Sequence, residues 1–206
     1  MDPPRTSKGE RTKARILHAA TTVVGRDGLP GATLRRIAEE AAVDKRNVLY
    51  YYGSREVLLV QVVLDVGERI ATGVEEGIRP SPDPGELARR TVDAIWTGLT
   101  SEPELARAYF ALIGGGAGEP AVERALEQLK RTYRRLIERR LGAIRKAAGG
   151  AHGPAAEADV LLTMALLRGL LLEWVEAGDR PALTESLIRF EALLGEGVAG
   201  EPPGSA

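Results

Sequence analysis

The chain has 206 residues, 44% hydrophobic and 28% charged, the composition of a soluble globular protein long enough to bury a core. It has no cysteine and only two histidines, His18 and His152, far apart, which excludes a disulfide scaffold, a thiolate metal site and a compact histidine ligand pair. The net charge of −1 hides an asymmetry: residues 1–56 carry eleven Lys/Arg against seven Asp/Glu, and the remainder sums to −5, so only the N-terminal end suits a polyanion.

Nearly every segment has helical periodicity. A first helix between Lys8 and Arg26 carries the stripe Ile16, Leu17, Ala20, Val23 and Val24, and Asp27-Gly28 ends it. Thr33 is the expected N-cap of a short second helix, Leu34 to Ala41. A third runs from about Lys45 to Tyr51 and is closed by Gly53. Ser54 caps a fourth, whose apolar stripe reads Val57, Leu58, Val62, Leu64 and Ile70. The prolines of 79–85 break the chain. Asp83-x-x-Glu86, with Pro84 at the first helical position, predicts a capping box and a fifth helix. Ser101-x-x-Glu104 repeats the pattern for a sixth, which the glycine run 114–118 ends. A seventh after Pro120 carries Val122, Leu126, Leu129, Tyr133, Leu136, Ile137, Leu141 and Ile144. Two more are expected at about 155–177 and 182–195, before a disordered tail over 196–206. No segment alternates with period two, so the fold class is all-α with about nine helices.

The second and third helices carry the information. Each has about two turns and cannot stand alone. The short link Ala42-Val43-Asp44 joins them, with Ile37, Ala38, Val43 and Val48 buried between. Ala38 is small enough for a steep crossing, and Val43 plugs the turn. This is a helix-turn-helix, whose second helix enters the major groove of DNA. Lys45, Arg46 and Asn47 lie at the N-terminal end of that helix, where bases are read: Lys and Arg donate to guanine, and Asn pairs with adenine. Tyr50, Tyr51 and Tyr52 follow. Tyr52, four residues after Val48, is placed to be core, leaving Tyr50 and Tyr51 to present hydroxyls to phosphates. Thr33, Arg35 and Arg55 are candidates to hold the DNA backbone on either side.

Residues 11–59 resemble the tetracycline-repressor (TetR) family of bacterial transcriptional regulators. The resemblance runs from R-T-K-A-R-I-L-H-A-A, through G-A-T-L-R-R-I-A-E-E-A-A-V, to V-L-Y-Y-Y-G-S-R-E-V-L-L. It implies that Thr33, Lys45, Asn47, Tyr50, Tyr51 and Arg55 face DNA. Three residues depart from the family pattern. Ala42 stands where glycine is frequent, Leu49 where a phosphate-contacting aromatic is common, and Arg46 where a small residue is usual. The resemblance further implies an all-α second domain that binds a small ligand and dimerises through its last two long helices. The expected domains are therefore 1–55 for DNA binding and 56–195 for ligand binding and dimerisation.

In that second part the eighth helix is apolar almost all round, so it needs cover on more than one side. One side suits its own domain and the other a second copy. The dimer candidates are Leu166, Gly169 and Leu170 on this helix, with Leu183, Leu187, Phe190 and Leu194 on the ninth; the bland alternative is a central helix of a monomer. The scarce aromatics Trp96, Tyr109, Phe110, Tyr133 and Trp174, with Met164 and Arg168, are candidates for an apolar ligand site, and equally for plain core. Arg168 and Glu173 need partners within so apolar a helix. The arginine-rich seventh helix reads as a solvated face with local ion pairs. His18, between core positions, reads as structural, and His152 as an inert loop residue.

No catalytic constellation, cofactor or metal is expected. The glycine run lacks the Gly-Lys-Ser/Thr of a phosphate-binding loop, and there is no G-x-S-x-G. The polar N-terminus is no secretory signal, and Val160–Val175, interrupted by Arg168 and Glu173, is too short to span a bilayer, so a cytoplasmic protein is expected. The reading is a homodimeric repressor released from a near-palindromic operator by a small molecule. The alternative is a ligand-binding or protein-interaction module whose helix-turn-helix does not bind DNA specifically.

Overall fold

The computed structural model describes residues 8–77, 81–114, 118–150 and 157–197. They form α1 (Lys8–Gly31), α2 (Leu34–Glu40), α3 (Lys45–Tyr52), α4 (Arg55–Gly77), α5 (Pro84–Thr100), α6 (Pro103–Gly114), α7 (Pro120–Ala147), α8 (Glu157–Ala177) and α9 (Pro181–Gly197). Among the described residues there is no strand, in agreement with the all-α expectation. His152 and the segment beyond residue 197 lie outside the described residues. The chain divides into two compact units, 1–68 with 102–129 and 69–101 with 130–206, and the divisions fall inside α4 and α7.

In the first unit α1 breaks where the sequence places its end. Gly28 has φ +70° and ψ 174°, a left-handed conformation that costs glycine little, and Pro30 follows. Ile16, Ala19, Ala20, Val23 and Val24 of α1 are buried with Leu105, Ala106, Ala108 and Leu112 of α6. The two helices touch at Gly25, where a Cβ would sit 3.0 Å from the Glu104 carbonyl oxygen and 3.1 Å from the Ala108 nitrogen, so a larger residue would push the backbones apart by a few tenths of an ångström. On α4 the buried residues are Leu58, Leu59, Val62, Val63 and Val66, while Val57 and Leu64 are exposed. Residues 57 and 64 share a face one step round from 58 and 62, and the core takes the face with the longer series at spacing four. His18, read as structural between core positions, is exposed.

In the second unit α5 packs chiefly on α9. Leu87, Ala88, Val92 and Ile95 of α5 are buried, as are Val160, Thr163, Leu167 and Leu171 of α8 and Leu183, Phe190 and Leu194 of α9. The lower part of the α7 stripe, Tyr133, Leu136, Ile137, Leu141 and Ile144, is buried as the periodicity predicts. Asp83 caps α5 by accepting from the Gly85 amide at 3.0 Å. Glu86 does not close the box directly. Its carboxylate accepts from the Ser81 hydroxyl (2.7 Å), which itself accepts from the Asp83 amide (3.2 Å). Ser101 differs from expectation: its hydroxyl donates back to the Gly98 carbonyl at 3.3 Å and closes α5, and α6 begins at Pro103. On α7, Arg134 makes the local pair with Glu138 at 3.4 Å and a second with Glu157 of α8 at 2.6 Å, whereas Arg140 of the same helix is partly buried.

Candidate nucleic-acid interface

Two short helices need their ends fixed by local bonds. Thr33 is extended (φ −80°, ψ 153°), and its hydroxyl oxygen accepts from the Arg36 amide at 3.3 Å, starting α2. The turn closes when the Val43 amide donates to the Ala38 carbonyl at 3.0 Å. Ala42 carries φ +49° there, a conformation rare for any residue with a Cβ. Ile37, Ala38, Ala41 and Val48 are buried at the crossing, and Val43 is half-buried.

Burial of Val48 and Tyr52, one turn apart, decides the orientation of α3. At 100° per residue Arg46, Asn47 and Tyr50 then fall on the opposite side with Leu49 at its flank, while Lys45 shares the Val48 side but stands at the first position of the helix; all five are exposed. Tyr50 is 81% exposed, whereas Tyr51 is half-buried and meets the Tyr50 ring edge-on at 5.1 Å. The Tyr52 hydroxyl donates to the Lys13 carbonyl at 2.8 Å, and the Lys13 ammonium lies 5.8 Å from its ring centroid. Burial, with a smaller contribution from the negative charge of Asp65, pushes the Tyr52 phenol up to about 12.

Cations from two other helices flank this face. Lys8, Thr12 and Arg15 of α1 line a shallow hollow whose far wall is Val43, Asp44 and Asn47. The sequence reading omitted Lys8 and Arg15; their spacing of seven, with Thr12 between, places all three on one face of α1 and was the available signal. On α2, Arg35 is exposed and pairs with Glu39 at 2.8 Å, a surface pair of the kind that contributes little to stability. Asp27 accepts from Arg26 and pairs with Arg36 at 3.0 Å, while Arg26 reaches Glu40 at 2.9 Å, bracing α1 against α2. The Arg26 bond is the main reason the Asp27 carboxyl is held below the usual carboxylate range.

Arg55 occupies a different setting. Its Nε donates to the Ala32 carbonyl at 2.8 Å, its Nη2 to the Leu29 carbonyl and its Nη1 to the Glu119 carboxylate. It is placed among protein acceptors rather than on the open face with Lys45 and Arg46.

The ligand candidates divide between the units. Tyr109 and Phe110, edge to face at 5.6 Å, belong to the first; Trp96, Tyr133, Met164, Arg168 and Trp174 belong to the second. Tyr109 and Tyr133 are buried, and Trp96, Phe110, Met164, Arg168 and Trp174 are half-buried. The Trp174 indole donates to Asp179 at 2.9 Å in the α8–α9 turn, and Glu173 pairs with Arg180 there. Of the dimer candidates, Leu166 and Gly169 are exposed and Leu170 and Leu187 half-buried. Leu183, Phe190 and Leu194 are instead buried inside their own unit, because the α9 stripe is the face that α5 covers. Leu161, Leu162, Leu172, Ile188 and Leu193, which the sequence reading passed over, are exposed as well.

A short helix braced on two others, with its cationic and amide side chains turned outward, defines a helix-turn-helix DNA-binding transcriptional regulator. Residues 16–62 match the family described as bacterial regulatory proteins, tetR family. Over 146 residues the chain is 23% identical to the HTH-type transcriptional regulator BetI of Vibrio vulnificus, covering 66% of this chain and 74% of that one. Other curated regulators are matched over about half of their own length. Among solved structures, a transcriptional regulator from Pseudomonas aeruginosa PAO1 shares the fold with a TM-score of 0.74 at 24% identity, covering 95% of this chain and 94% of that one. FadR from Bacillus subtilis, solved with stearoyl-CoA, superposes with a TM-score of 0.71 at 17% identity, covering 89% and 98%. No helix among the described residues is long and apolar enough to cross a membrane.

Proposed function

We propose that two copies of this chain form a cytoplasmic repressor that holds a near-palindromic operator until a small-molecule effector releases it. The observation that carries the reading is the outward set Lys45, Arg46 and Asn47 at the N-terminal end of α3, backed by the buried pair Val48 and Tyr52. Lys45 and Arg46 donate to guanine edges or phosphates, and Asn47 pairs with adenine. Tyr50, Tyr51, Thr33 and Arg35 hold the phosphates on either side, joined by Lys8 and Arg15.

The second copy is argued from α8 and α9. Leu161, Leu162, Leu166 and Leu172, with Ile188 and Leu193, leave more large apolar surface exposed than a monomer ordinarily tolerates. Pairing these faces about a two-fold axis, with exposed Gly169 permitting close backbone approach, would cover both. Two reading helices so related dock in successive major grooves about 34 Å apart. The effector acts by preferring the non-binding state; a coupling of about 1–3 kcal/mol is typical. The second unit, with Trp96, Met164 and Arg168, is the proposed place for it, and FadR with its bound stearoyl-CoA supports an effector in this architecture.

Gel-shift titration against duplexes selected from a randomised library, over a series of salt concentrations, tests the reading. A steep loss of affinity with salt and a selected inverted repeat are the expected results. Binding without sequence preference would favour a module that does not read DNA specifically.

A further inference from the structure

We propose that Arg55 is a positioning residue of the DNA-reading head rather than a phosphate ligand, and that Glu119, at the start of α7, holds it in place. The inference rests on the reading of α3 as the DNA-binding helix and adds the means by which α7 acts on that helix.

Arg55 lies three residues after the end of α3, at the first position of α4. Each of its guanidinium nitrogens has an acceptor: the Ala32 carbonyl, the Leu29 carbonyl and the Glu119 carboxylate. The two carbonyls belong to the link between the α1 kink and α2. Arg55 therefore ties the segment leaving α3 to the segment entering α2, and with the Tyr52–Lys13 bond it fixes the helix-turn-helix from both sides. A planar fork with three divergent donors can do this, and a lysine ammonium on a flexible stem cannot.

Glu119 is built into α7. Its carbonyl accepts from the Glu123 amide at 3.1 Å, and Pro120 is the first helical residue, so the carboxylate travels with the start of that helix. The side chains of Arg55 and Glu119 are only 27% and 26% exposed, and the second carboxylate oxygen is buried without a hydrogen-bond partner. Withdrawing the carboxylate would leave two partly buried charges uncompensated, so the arginine follows α7 or releases its hold on the link.

The test uses the full chain and the tightest duplex selected from a randomised library, with binding measured against salt concentration. Glu119→Gln should weaken binding about tenfold with an unchanged salt slope. Charge alone predicts the reverse sign, because removing an anion near a polyanion strengthens binding, and an equal or tighter complex would overturn the proposal. Arg55→Lys should weaken binding as much as Arg55→Ala, both with the wild-type slope. If Lys kept the affinity while Ala flattened the slope by about 0.9, Arg55 would be a phosphate ligand. Should Glu119→Gln fail to fold by circular dichroism, Glu119→Asp, which keeps the charge one methylene short, carries the same expected sign. A wild-type chain that bound no selected duplex would refute the DNA-binding reading itself, which is a separate outcome from wild-type binding with indifferent variants.

Discussion

The Tyr52 hydroxyl and the Lys13 carbonyl, 39 positions apart in sequence, meet at 2.8 Å and join the last turn of α3 to α1. The hydroxyl must keep its proton to make this bond. Burial, with a smaller push from the negative charge of Asp65, favours that neutral phenol, which is raised to about 12 from its ordinary value of 10. A raised pKa contributes stability that is complete below the unfolded value and lost as pH climbs to the folded one. Between pH 10 and 12 the wild type should lose about 2–3 kcal/mol more than Tyr52→Phe, which itself costs about 1 kcal/mol at neutral pH. Urea denaturation of both proteins across the alkaline range measures this, and parallel losses would remove Tyr52 as the cause.

Asn47 is exposed in the first turn of α3, the end proposed to meet base edges. Asn47→Ala should relax preference at one or two positions of the selected duplex, costing about 1–3 kcal/mol there and little elsewhere. Binding to a panel of single-base variants of that duplex reads the effect. A loss equal at every position would take Asn47 off the base-reading face.

Ala42 holds φ +49° in the turn between α2 and α3, with its side chain exposed. Glycine relieves that conformation without losing buried surface, so Ala42→Gly should raise stability by up to about 1 kcal/mol. A lower melting temperature for this variant would mean that the turn is not strained.

Leu166 and Ile188 are 44% and 59% exposed on α8 and α9. If they meet a second copy, the double variant Leu166→Glu/Ile188→Glu should sediment as a folded monomer and lose affinity for the inverted repeat, since two tethered heads bind more tightly than one. A dimer that survived both charges would place the interface elsewhere.

The periodicity of apolar residues determined the helices, and the kink at Gly28, the Thr33 cap and the outward face of α3 follow from local rules. These features are legible because each depends on residues within a turn or two of one another. Val48 and Tyr52 at spacing four orient α3 in whatever fold contains them. The stripe on α4 was less legible, since residues 57, 58, 62 and 64 span two adjacent faces and only the neighbours choose between them.

Tertiary structure alone decided what depends on long-range partners. Arg55 read as a basic residue at a helix start, and the fold surrounded it with carbonyls 23 and 26 positions away and a carboxylate 64 positions away. On α9 the sequence showed an apolar stripe without saying what covers it. The structure spends Leu183, Phe190 and Leu194 on α5 and leaves Ile188 and Leu193 outside. Spacing along a helix fixes which side chains share a face, and the identity of the covering element is a property of chain topology that no local pattern encodes.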